Sequence, residues 1–291
     1  YDITREFFLK DLKKSRYQGV RRGGNPLRIK VRVADPAGNI TIFVTTPVER
    51  EKYPFIARQL LAREDLKGEQ VGFIERKARG GFRMEMMGGE FCGNASRSFG
   101  YLQCQQAGKE RQELEVDVSG SRSLLKVTAD IKAGTSRIDM PLPKGMELLK
   151  TDGEERFCMV VFDGICHMIV PGKPRDTKFV ETVLKKARKA CPCGAWGIMF
   201  LEEDRMIPAV YVENTDSLIW ESSCASGSMA AAVYLSREEK NGIFIYTLRQ
   251  PGGEIRAEVR KKEGKIIQCT LGGPVKISEE MEIELENTRF T

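Results

Sequence analysis

Short apolar runs, punctuated by Gly, Pro, Asn and Asp, recur along most of the chain, and only a few stretches carry helical spacing. Leu27–Val33 predicts a strand, Asp35-Pro-Ala-Gly-Asn39 a turn, and Ile40–Val44 a second, β-branched strand. Pro54–Glu64 places Phe55, Ile56, Leu60 and Leu61 on one helical face. Strands are predicted at Val71–Glu75 and Phe82–Met86. Gly88 and Gly89 then break the chain ahead of a helix starting near Cys92. Leu114–Val118, Leu124–Thr128 and Ser136–Met140 read as further strands.

Pro141 and Pro143 interrupt this pattern, and a second series begins. Phe157–Phe162 and His167–Val170 predict strands, and Val180–Lys189 a helix. Trp196–Leu201, Ala209–Val212 and Ser217–Trp220 are strands; Ser222–Ser228 then leads into a helix from Met229 to Leu235. Strands at Ile243–Arg249, Glu254–Val259 and Ile266–Leu271 close the series. Each half runs through strands, a cysteine opening a small-residue helix, and more strands. That predicts two related α/β units facing each other across a cleft.

Composition narrows the function classes. The 291 residues, 41% hydrophobic and 30% charged, suffice for one large or two medium domains with a core needing neither disulfides nor metals. Collagen, coiled coil and bulk disorder are excluded. A net charge of +6 is mild and spread along the chain, so nucleic acid is not indicated as a partner. No apolar run approaches a membrane span of about 18 residues. The basic stretch Phe7–Arg22 lacks the apolar core of a signal peptide, so a cytoplasmic location is expected. Eight cysteines in such a chain do not imply a disulfide framework. The closest pair, Cys191-Pro-Cys193, lacks zinc-knuckle spacing and no metal site is expected; six of the eight read as small buried hydrophobes or bystanders.

The other two carry the chemistry. Gly88-Gly-Glu-Phe-Cys92-Gly-Asn-Ala-Ser-Arg-Ser-Phe99 and Trp220-Glu-Ser-Ser-Cys224-Ala-Ser-Gly-Ser-Met-Ala-Ala-Ala232 each put a cysteine where a loop becomes a helix. The free N–H groups and dipole of a helix start favour an anion, which lowers a thiol pKa and seats a substrate carboxylate beside the sulfur. Two such cysteines facing one another would bracket a small molecule. One thiolate removes a proton from carbon while the opposite thiol returns one to the other face, inverting the stereocentre. Helix N-termini aimed at the carboxylate hold the developing enediolate, and no cofactor is required.

These motifs resemble those of the diaminopimelate epimerase fold family, with Cys-Gly-Asn in one half and Cys-Gly-Ser/Thr-Gly in the other; here they read Cys92-Gly93-Asn94 and Cys224-Ala225-Ser226-Gly227. Pro36-Ala-Gly-Asn39-Ile-Thr, Glu69-Gln-Val-Gly-Phe-Ile-Glu75, Ser217-Leu-Ile-Trp-Glu-Ser-Ser-Cys224 and Arg249-Gln-Pro-Gly-Gly-Glu-Ile255 extend the resemblance from about Val33 to about Val275. In that fuller form the chain is most similar to histidine racemases of staphylopine-type metallophore pathways. The resemblance implies a mixed α/β (α+β) fold of two pseudosymmetric domains, each a curved, mostly antiparallel sheet around a central helix. Residues 1–135 with 275–291 would form one, residues 1–26 being an extension, and 136–274 the other. It further implies cofactor-independent racemisation of an amino acid, with Cys92 and Cys224 as the base–acid pair. The backbone around Gly93, Asn94, Ala225, Ser226 and Gly227 would hold the α-carboxylate, with Asn39 and Glu221 lining the site; a homodimer is common for such folds.

The departures bear on substrate. Diaminopimelate epimerases follow the site glutamate with an arginine that grips a distal carboxylate, whereas Ser222 stands here; Ile165 and Met86 replace two further polar contacts. Losing such a charge-assisted contact costs on the order of 2–4 kcal/mol of binding. Diaminopimelate is therefore disfavoured against an uncharged or cationic side chain, and histidine is the first substrate to try. An epimerase or isomerase of another small acid remains the alternative within the family, and a cysteine-based metal-binding protein the alternative outside it. The sole histidine, His167, sits in an apolar run and reads as a core or cleft-lining residue rather than a general base. Gly80–Gly89 reads as hairpin turns around a strand, and Lys185–Lys189 as a solvated helix face.

Overall fold

Strands dominate because the apolar runs are short and separated by residues that favour turns. The computed structural model describes residues 21–22, 26–151, 155–213, 216–286 and 288–289; apart from Arg21 and Arg22, the basic extension lies outside them. The chain divides into two units, Tyr1–Gly134 with Val275–Thr291, and Thr135–Pro274. Both mix α and β, with few helices, and no helix among the described residues is long and apolar enough to cross a membrane.

In the first unit, Met281–Leu285 pairs antiparallel with Leu27–Asp35, which pairs antiparallel with Thr41–Val44. Thr41–Val44 runs parallel to Gln70–Arg76, and helix α1, Tyr53–Leu61, makes the crossover. Gln70–Arg76 pairs antiparallel with Phe82–Met86, which runs parallel to Arg111–Val118 across helix α2, Gly93–Gln106. Leu125–Asp130 adds an antiparallel strand. A parallel pair requires such a crossover, whereas antiparallel pairs need only turns.

The second unit repeats this order of pairings. Gly145–Lys150, Arg156–Val161 and Ile165–Pro171 are antiparallel neighbours. Ile165–Pro171 runs parallel to Ala195–Glu202 across helix α3, Thr177–Ala190. Ala195–Glu202 pairs antiparallel with Arg205–Val212, which carries Ser217–Trp220 and meets Gly242–Gln250 in parallel across helix α4, Ala225–Leu235. Gly253–Lys262, Lys265–Pro274 and Thr135–Met140 continue the sheet antiparallel.

The two helices of each unit differ in kind. In α3 the apolar Val180, Val183, Leu184 and Ala187 are buried, while Lys185, Arg188 and Lys189 are exposed, so the basic run is a solvated face. In α4, Met229 to Val233 are all buried, as is most of α2 from Gly93 to Leu102. A helix buried all round needs small residues, which both supply.

Several boundaries differ from those read in the sequence. Helix α4 begins at Ala225 rather than Met229, because Ser and Gly, which read as loop residues, here form the first turn behind a capping sulfur. Helix α1 stops at Leu61, short of Glu64. Gly145–Lys150 escaped the sequence reading because only Leu149 is buried in it; Met281–Leu285, short and near the end of the sequence, was passed over although its apolar residues alternate with glutamates as a half-buried strand requires.

Gly100 of α2 lies against Val127 of the neighbouring strand. A Cβ there would sit 2.5 Å from Val127 Cγ1 and 2.8 Å from its Cβ, and Val127 is fully buried. In an open helix Gly→Ala gains about 1 kcal/mol. Here overpacking wins: Gly100→Ala should destabilise by about 1–3 kcal/mol. A urea midpoint that rises in the variant would contradict this packing.

Candidate active site

Each unit starts its central helix on a cysteine whose backbone is extended, with φ −127° and ψ 113° at Cys92 and φ −122° and ψ 113° at Cys224. The sulfur then accepts the N–H three residues on, from Ala95 at 3.5 Å and from Gly227 at 3.4 Å. The cysteine carbonyl accepts both the N–H and the hydroxyl of the serine four residues on. Those contacts are 2.9 and 2.7 Å at Ser96, and 2.9 and 2.6 Å at Ser228. The spacing Cys-x-x-x-Ser therefore encodes a sulfur-capped helix start in both places.

The surroundings of the two sulfurs differ. The Asp35–Asn39 turn closes through Asp35 Oδ1, which accepts the Gly38 N–H at 2.8 Å, and brings Asn39 in beside Cys92. The amide of Gln70 donates to Asn39 Oδ1 (2.6 Å), Thr41 Oγ1 (2.8 Å) and Cys92 Sγ (3.3 Å). Beneath them Arg97 is fully buried, donating to the Pro36 carbonyl at 2.9 Å and to Asn94 Oδ1 at 3.2 Å. Burial pulls its guanidinium down to about 10, opposed by Cys92 and Asp35, so it remains a cation at neutral pH. Two donors and a buried positive charge thus converge on a half-buried sulfur, an arrangement suited to a negative charge there. Asn94 turns its side chain inward to Arg97, so only its backbone is offered outward from the helix start.

Cys224 is 6% exposed, and its N–H is held by Gln250 Oε1 at 2.8 Å, while Gln250 Nε2 donates to Ser228 Oγ at 2.9 Å. Burial, then the adjacent Glu221 carboxylate, push the Cys224 thiol well above the usual range, so it rests protonated. Glu221 keeps some accessible surface, yet its carboxyl lies deep enough that burial pushes it up to about 7; the hydrogen bond from the Cys224 thiol opposes this. Ser226 Oγ lies 3.7 Å from Cys224 Sγ and 2.9 Å from His167 Nε2. Ala225 is buried in the first turn, and at Gly227 a side chain would run into the Met199 thioether, with Cys224 Sγ 3.1 Å away.

Within the first unit, Asn39, Gly93 and Asn94 gather at Cys92; within the second, Glu221, Ala225, Ser226 and Gly227 gather at Cys224. Gln70, Arg97 and Gln250 were not singled out from sequence, although all three lie inside the motifs that carried the resemblance. An arginine set among small residues in the first turns of a helix, and a glutamine opening or closing a strand, were the available signals.

Residues 28–283 match a family model described as the histidine racemase CntK N-terminal domain. A histidine racemase of Fusobacterium nucleatum is 33% identical over 265 residues, covering 85% of this chain and 96% of that protein. Among solved structures, a hydroxyproline epimerase from Agrobacterium vitis, with bound trans-4-hydroxy-L-proline, aligns with a TM-score of 0.63 at 13% identity, covering 92% of this chain and 95% of that one. A phenazine biosynthesis PhzF-family protein of Enterococcus faecalis aligns at 0.58 and 15%, covering 89% and 100%. Both structural likenesses speak for the fold alone.

His167 is fully buried, as the sequence predicts for a core residue, and Nδ1 has no partner among the described atoms. Burial pushes its imidazole down to about 3, from an ordinary 6.5. The folded protein therefore keeps it neutral where the unfolded chain binds a proton. Its contribution to stability is complete above 6.5 and is lost as pH falls from there toward 3. With one histidine in the chain, its ring proton resonances should stay flat from about pH 8 to 5 in the native protein. A midpoint near 6.5 would refute this burial.

Proposed function

The chain belongs to the histidine racemase family, and on that premise we propose that it inverts the α-carbon of histidine with two thiols, Cys92 as base and Cys224 as acid. One observation carries the reading: the same sulfur-capped helix start occurs in both units, set among donors and a buried cation in one and beside a buried carboxyl in the other. Environments that drive like groups apart in acidity assign the base and the acid. In this mechanism the Cys92 thiolate takes the Cα proton and the electron pair passes into an enediolate. The Cys224 thiol then delivers its proton to the opposite face of Cα. The thiol and thiolate have then exchanged roles, which suits the reverse reaction. The helix-start N–H groups of Gly93, Asn94, Ala225 and Ser226 would hold the carboxylate, Gly227 completing the turn with its own N–H on Cys224 Sγ, and Asn39 and Glu221 would line the site.

The proton transfers need no organic cofactor or metal, and the step requires reduced thiols, which fits a cytoplasmic enzyme. The shared order of strand pairings supports two pseudosymmetric epimerase-like domains, residues 1–135 with 275–291 and residues 136–274. Ser222, in place of an arginine, supports a substrate with no distal carboxylate.

The reduced protein in D₂O should exchange the α-proton of L-histidine and bring its optical rotation to zero. Cys92→Ser and Cys224→Ser should each lower racemisation by about 10²–10⁴-fold while still binding histidine. Normal turnover in either variant would end the two-thiol mechanism, and exchange with another amino acid but not histidine would move the substrate.

A further inference from the structure

Three cysteines outside the racemase chemistry come together in the second unit. The sulfurs of Cys166, Cys191 and Cys193 all lie within 4.8 Å of one another. Spacing along the chain did not reveal this, because Cys166 reaches the pair through strand pairing: it stands opposite Trp196 in the parallel ladder. Alternation along that strand sends the next residue, His167, toward Ser226 and α4, while Cys166 packs with Val180, Val183, Leu184 and Ala187 of α3. The cluster therefore lies on the opposite face of this sheet from Cys224.

We propose that Cys166, Cys191 and Cys193 form a trigonal three-thiolate site for a soft, monovalent cation of the Cu⁺ class. A cation about 2.3 Å from each of three coplanar sulfurs sets them about 4.0 Å apart. Cys166 and Cys193 stand 4.0 Å apart. Thiolates without imidazole or carboxylate select soft ions. The loop is held in place by the protein itself: the Cys191 N–H bonds the Ala187 carbonyl at 2.8 Å and the Cys191 carbonyl accepts the Trp196 indole N–H at 2.9 Å. The Gly194 N–H bonds the Gly164 carbonyl at 3.1 Å, and Pro192 fixes the backbone between the two loop sulfurs. Cys191 also caps the C-terminus of α3, where the helix dipole favours a cation. Cys166 is fully buried, while Cys191 and Cys193 keep accessible surface, giving the ion a path in. Binding converts the three thiols to thiolates and releases their protons to solvent. A Cys166–Cys193 disulfide would instead require closing 4.0 Å to about 2.05 Å and an oxidant.

The test uses the full chain carrying Cys92→Ser and Cys224→Ser, so that the racemase thiols bind nothing. Loaded anaerobically with Cu⁺ and desalted, it should retain one copper per chain and protect Cys191 and Cys193 from iodoacetamide. Adding Cys191→Ser or Cys193→Ser should reduce retention to background with an unchanged circular dichroism spectrum. In the otherwise native chain, these two substitutions should leave histidine racemisation unaltered. Copper retained equally by the cysteine-loop variants, no copper retained at all, Zn²⁺ retained in preference to Cu⁺, or recovery of a Cys166–Cys193 disulfide from reduced preparations would each overturn the proposal.

Discussion

A helix that opens on a cysteine gives its first N–H groups to an acceptor weaker than the hydroxyl or carboxylate that ordinarily caps a helix. Both units accept that constraint at nearly identical torsions, and much of their central architecture answers it. Ser96 and Ser228 bond back to the cysteine carbonyl, tightening a first turn that the sulfur alone would hold loosely. Small residues let each helix be covered on all sides, so packing rather than capping keeps it formed.

The backbone is repeated, but its chemical setting is not. Around Cys92 the polar groups mostly donate: Gln70 through its amide, Arg97 through a buried charge compensated by Asp35 and the sulfur. Around Cys224 the nearest charge is the carboxyl of Glu221, and His167 is too buried to become a cation. A shared fold thus supplies the geometry twice, while a handful of side chains, Arg97 within its helix and Gln70 and Glu221 outside, sets what each sulfur is disposed to do. Glutamine serves both ends, with Gln70 touching the sulfur itself and Gln250 holding the cysteine N–H and a helix serine.

Legibility followed burial. Strands made largely of buried residues, such as Thr41–Val44 and Ala195–Glu202, were read from the sequence to within a residue at each end. Gly145–Lys150 was not, because an exposed edge strand carries little hydrophobic signal. The start of α4 was misplaced for a different reason: Ala-Ser-Gly-Ser is poor helix composition, made helical here by the sulfur cap and by burial. The two cysteines stood out because their motifs are contiguous. Gln70 and Gln250 did not, since what defines them is a partner 22 or 26 residues away. The thiol cluster was illegible for the same reason, Cys166 and Cys193 being 27 residues apart and brought together by the parallel ladder beside them.

The strand Leu27–Asp35 takes Met281–Leu285 as its partner on one side, with Leu27 opposite Leu285. The first unit is therefore completed only after the second, since its sheet lacks a member until Met281–Leu285 has been synthesised. The intervening unit, Thr135–Pro274, contains all its own strands and can close earlier, reversing the usual N-terminal-first order of domain folding. Until that final strand arrives, Leu27–Asp35 presents an open edge, and the lysines and arginines alternating along it at positions 28, 30 and 32 are the kind of residue that keeps a nascent edge from pairing with a neighbouring chain.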